Sequence, residues 1–102
     1  MRKQYAIKLS VNNSDIELTR FPAAFLANVI IAAVSSLKNV AEIKTLELAE
    51  DDGSIKIVVN GDRITLNTFP NEYFINTING LLSTLRGVND IKTANIELKT
   101  LG

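Results

Sequence analysis

A chain of 102 residues with eleven basic and eleven acidic side chains has no bulk field that would draw it to nucleic acid or to an anionic membrane. Cysteine and histidine are both absent, which removes disulfides, thiolate metal sites, cysteine nucleophiles and the commonest general base near neutral pH. At 46% hydrophobic and 22% charged, the composition is that of one globular domain over residues 1–102, expected in a reducing cytoplasm that suits a cysteine-free chain.

The opening MRKQYAIKLSV has two early basic residues but no apolar run ending in a small-residue cleavage site, so it is not read as a secretory leader. From Tyr5, YAIKLSV alternates apolar and polar side chains and predicts a half-buried strand. Asn12–Asn13 follows as a tight turn, then DIELT as the return strand. Pro22 suits the first turn of a helix, where a missing N–H costs nothing, and Asn39 suits its left-handed C-terminal cap. Within that helix Phe21–Leu37 carries no charge. It is shorter than the roughly 20 residues that span a bilayer, and it contains Asn28, Ser35 and Ser36, so it reads as a core helix. KTLELA then alternates again, and Glu50–Asp51–Asp52–Gly53–Ser54 has the chemistry of a turn rather than of a calcium loop.

The next residues repeat the first half. At an offset of 48, 16 of the 39 positions from Ile7 to Thr45 are identical to those from Ile55 to Thr93. SIKIVV is the strand, Asn60–Gly61 a stronger hairpin turn, and RITLN the return strand with Leu66 inward and Thr65 outward. Pro70 opens the second helix, Gly87 suits its end, and KTANIEL closes the unit. The expected fold is therefore α+β: an internal duplication of a strand-strand-helix-strand unit, with pseudo-repeats over about 5–49 and 53–99. Both helices should cover one face of a largely antiparallel sheet in a two-layer sandwich, with the other face wet. The order of the strands does not follow from the pattern.

The sheet-facing sides of the helices are ordinary core: Leu26, Ile30, Val34 in the first, and Phe74, Ile78, Leu82 in the second. Their outer sides are less usual. They read Ala24, Asn28, Ala32, Ser35 in the first helix and Glu72, Asn76, Gly80, Ser83 in the second, flanked by Phe25, Val29 and Ile31 in the first and by Tyr73, Thr77 and Asn79 in the second. At ordinary composition a run of sixteen uncharged residues arises about once in a hundred. These small, uncharged surfaces point to an interface, most simply with a second copy and otherwise with another protein, and weigh against a merely solvated helix face. The candidate interface is Ala24, Asn28, Ile31, Ala32, Ser35, Asn76, Asn79, Gly80 and Ser83.

Chemistry is not legible. The serines lack an activating histidine, the five glycines are scattered, and neither a metal site, a cofactor motif nor a catalytic residue is indicated. The six aromatics are assigned by position to the core or the helix starts, which leaves no stacking platform for nucleic acid. The function expected is a non-enzymatic interaction or assembly module that self-associates, as a homodimer, through its helical face. The alternative is a small-molecule (effector) binding domain with an apolar pocket between sheet and helices, lined by Phe25 and Tyr73 with Asn28 and Asn76 beside them.

Overall fold

A computed structural model of the chain describes residues 5–37, 42–64, 68–85, 88 and 90–101, with residues 68–70 described in backbone only. In chain order these form β1 (Tyr5–Val11), β2 (Ser14–Ile16), α1 (Arg20–Ser35), β3 (Thr45–Asp51), β4 (Ser54–Val59), β5 (Asp62–Ile64), α2 (Thr68–Leu82) and β6 (Thr93–Thr100). The six strands make one antiparallel sheet in the order β2-β1-β6-β3-β4-β5. Extents of 34 × 32 × 19 Å are those of a slab two layers thick, since packed layers lie about 10 Å apart.

The period-2 alternation decides which face of the sheet is dry. Leu9, Val11, Leu46, Leu48, Ile55, Ile57, Val59, Ala94, Ile96 and Leu98 all point inward and are buried. Lys8, Glu47, Lys56, Asn95, Glu97 and Lys99 alternate with them and are exposed. Against the dry face, α1 packs over β1 and α2 over β4, contributing Leu26, Ile30 and Val34 from one helix and Phe74, Ile78 and Leu82 from the other.

The order of strands is one that short-range pattern does not reveal. β3 and β6 lie side by side at the centre, and each pairs on its far side with the strand that opens the opposite half of the chain. The registers obey the same 48-residue offset as the sequence. Leu9 opposite Ile96 corresponds to Ile57 opposite Leu48, and Leu9 opposite Ile16 corresponds to Ile57 opposite Ile64. The central pair, Leu48 opposite Ile96, corresponds to itself.

Both expected hairpin turns have two residues of positive φ, Asn12 at 51° with Asn13 at 66° and Asn60 at 52° with Gly61 at 87°, the conformation that matches strand twist. The residues between the halves form a third such turn, confined to Asp52 and Gly53 at 46° and 83°. β3 therefore extends through Glu50 and Asp51, which the sequence pattern assigned to the connection. The return strand β2 is only three residues long, which shortens the unpaired edge it presents, and β5 comprises Asp62–Ile64 among the described residues. Leu66 and Thr65 lie outside the described residues.

Both helices also stop earlier than expected. α1 ends at Ser35 and α2 at Leu82, whereas Asn39 and Gly87, the expected caps, lie outside the described residues. Equivalent hydroxyls tighten the two ends. Ser36 Oγ donates to the Ala33 carbonyl at 2.6 Å and Thr84 Oγ1 to the Leu81 carbonyl at 2.7 Å. The N–H groups of Leu37 and Leu85 donate to the carbonyls of Val34 and Leu82, three residues back, closing each helix with a tighter turn.

Two asparagines join the halves to each other. Asn60, in the β4–β5 turn, accepts through Oδ1 from the N–H groups of Lys44 (2.8 Å) and Thr45 (3.0 Å), and donates through Nδ2 to the Glu42 carbonyl at 2.7 Å. Asn12, in the β1–β2 turn, does the same to Lys92, Thr93 and Asp90. Each half's turn thus holds the residues that lead into the other half's central strand.

Candidate functional site

The helices run antiparallel, since the residues that face each other across the gap between them come from opposite ends. The C-terminal part of α1 (Val29, Ile30, Ala33) faces the N-terminal part of α2 (Tyr73, Phe74, Thr77) across a groove of about 280 Å³. At the other end of the pair Phe21, Phe25 and Leu26 face Leu81, Thr84 and Leu85 across one of about 290 Å³. Most residues lining the second groove are those of the first displaced by 48 positions. Both grooves are apolar and open at the outer surface of the helical layer rather than beneath it.

Three aromatic rings stand at the groove rims. Phe21 is 74% exposed, Phe25 48% and Tyr73 61%. Phe21 and Phe25, one helical turn apart, stack on each other with ring centroids 5.8 Å apart and planes 13° from parallel. Exposed phenylalanines are costly, because each ring that fully leaves water gains roughly 1.5–3 kcal/mol. The sequence pattern put Phe25 and Tyr73 on the flanks of the outer helical surface, and left Phe21 at the helix start without a direction. The signal available was its one-turn spacing from Phe25, on the side of α1 away from Leu26 and Ile30.

The nine residues proposed as an interface divide in two. Ala24, Asn28, Ala32, Ser35, Asn76, Gly80 and Ser83 are exposed on the outer helical surface. Ile31 and Asn79 are half-buried instead; Ile31 packs against the core. The expected ligand residues are not brought together. Phe25 lines one groove and Tyr73 the other, Asn28 lines neither, and Asn76 lies with Glu72, Tyr73 and Thr77 in a shallow hollow on the outer side of α2. Gly80 has open space around it, with nothing within 4 Å of where a Cβ would stand.

Asn79 belongs to a feature the sequence reading missed. Its side chain donates a hydrogen bond to the carboxyl of Glu50, which projects inward from β3 and is only 4% exposed. Among the described residues, Glu50 Oε1 and Asn79 Oδ1 are buried without a hydrogen-bond partner. Burial raises the affinity of the Glu50 carboxyl for its proton, and the bond from Asn79 opposes this only in part. The signal was parity: Glu50 continues the inward series of Leu46 and Leu48, and 48 residues on the same position is Leu98.

No helix among the described residues is long and apolar enough to cross a membrane. No protein-family model matches the chain, and neither does any curated protein or solved structure.

Proposed function

We propose that this protein is a non-enzymatic assembly module, resident in the cytoplasm, that pairs with a second copy of itself through its helical layer. The observation that carries the reading is the outer surface of α1 and α2, which combines three exposed aromatic rings with small uncharged residues and, among the described residues of the two helices, only Arg20 and Glu72 as charges. Two such surfaces meet without like-charge repulsion. A layer of 34 × 32 Å has room for the roughly 800 Å² that each partner buries in a standard interface.

Sedimentation over a hundredfold range of concentration tests the reading. The protein is expected to be a dimer, and Gly80→Glu or Ala32→Glu to give a monomer that melts as the parent does, since both positions are exposed. A parent that stays monomeric throughout, or charged variants that dimerise unchanged, would overturn it.

The second reading is a small-molecule module, and the grooves are what favour it. At about 280 and 290 Å³ they lie at the lower limit of ligand clefts, around 300 Å³. Both are open on one side, which suits a partner's side chain better than an enclosed ligand.

A further inference from the structure

We infer that the stacked pair Phe21 and Phe25 of one copy inserts into the groove between Ala33 and Thr77 of the other, twice per dimer. This rests on the self-association reading and adds its geometry. The two grooves lie at opposite ends of the helix pair, and the phenylalanines stand at the rim of the second. A two-fold axis in the plane of the helical layer, crossing the helices, lays each end of one copy over the opposite end of the other. Phe21 and Phe25 then face the partner's first groove, and the partner's pair faces the first groove of the original copy. An interface closed by a two-fold axis must be reciprocal in this way.

Shape and chemistry agree with that occupant. The first groove is walled by Val29, Ile30 and Ala33 on one side and by Phe74 and Ile78 on the other, with Tyr73 at its mouth. The rings offered to it are already stacked, so little rotamer freedom remains to be lost on docking. Tyr73 supplies a ring edge or face at the entrance, and its hydroxyl stays at the wet rim. Aromatic anchors seated in apolar pockets are where binding energy concentrates in interfaces.

The test is complementation between two defects. Phe21→Ala/Phe25→Ala removes the inserted rings, and Thr77→Trp fills the receiving groove from an exposed position. Each variant alone loses both insertions of its homodimer and is expected to weaken it by several hundredfold, about thirtyfold for each hot spot lost. Mixed, they retain one intact insertion per heterodimer, so labelled and unlabelled chains should pair more tightly with each other than with themselves. Thermal melts check that each variant is folded. A dimeric parent whose affinity survives the loss of both rings would overturn the insertion while leaving self-association standing. Two weakened variants that fail to pair with each other would do the same. A parent that never dimerises would overturn both.

Discussion

Glu50 and Asn79 occupy positions that in the other half of the molecule belong to Leu98 and Ile31, so one polar pair stands where its counterpart is apolar. The pair leaves two buried acceptors unsatisfied, and a proton on Glu50 turns one of them into a donor. The folded chain therefore holds that proton to a higher pH than the unfolded chain, by burial first and against the bond from Asn79. Between the two pKa values the unfolded state has released a proton that the folded state keeps, so stability falls as pH rises and stays lower above the folded value. Urea unfolding from about pH 4 to about pH 8 should show this decline. In Glu50→Leu/Asn79→Ile, which writes the apolar pair into both halves, stability near neutral pH should rise by about 1–3 kcal/mol and the decline should lessen. Glu50→Leu alone strands the Asn79 amide and should gain less. Equal pH slopes in the parent and the double variant would remove Glu50 as the cause. This residue escaped notice in the sequence because the acidic run after it is good turn chemistry, and that local signal outweighed a parity continued for only one more residue.

Between elements, the asparagine clamps show what repeated identity in the sequence encodes. Asn12 and Asn60 are matched across the offset, as are Lys44 with Lys92 and Thr45 with Thr93, and the structure joins these residues to one another across the halves. Asn60 performs two tasks, a positive φ and three side-chain hydrogen bonds. Asn60→Gly keeps the first and loses the second, and should cost about 1–2 kcal/mol, because exposed bonds lie at the lower end of their net worth. Asn60→Ala loses both and should cost about 1 kcal/mol more, the penalty of a Cβ in the left-handed region. Denaturant midpoints at unchanged m-value would measure these losses, and variants within a few tenths of the parent would show that the clamp contributes nothing. Strands, helices and two-residue turns were legible because each is written in local periodicity or in turn residues. The helix ends were not, since Ser36 and Thr84 close the helices with side-chain bonds that a search for glycine and asparagine caps passes over.

For the molecule as a whole, strand order was the part that stayed hidden, and it follows from contacts no local pattern can carry. β1 and β6 pair from Tyr5 opposite Thr100 to Val11 opposite Ala94, so the two ends of the described chain lie side by side in the sheet. This ladder corresponds to that of β3 and β4, with one difference. Asp51 and Ser54 are joined by the Asp52–Gly53 turn, whereas the corresponding Lys99 and Ala6 are joined only through the rest of the chain. The same two-residue turn should therefore close the other ladder. A permuted chain can be opened between Asp52 and Gly53, with Lys99 linked to Ala6 by Asp-Gly in place of residues 100–102 and 1–5. The ladder from Ala6 to Val11 survives intact, and the opened site is an exposed turn of the kind at which permutation succeeds. Two losses are foreseeable: the bond from the Tyr5 hydroxyl to the Ile43 carbonyl, and the Asn71 side chain's hold on Gly53 and Ile55. At roughly 1 kcal/mol each, with about 1–2 kcal/mol more for the half-buried Tyr5 ring that packs against the core, these leave a cooperative fold less stable than the parent. Urea unfolding of the permutant should accordingly give a single transition within about 3–4 kcal/mol of the parent. An unfolded permutant would mean that β1 and β6 do not tolerate the turn that joins β3 and β4, and that the two halves differ in more than Glu50 against Leu98.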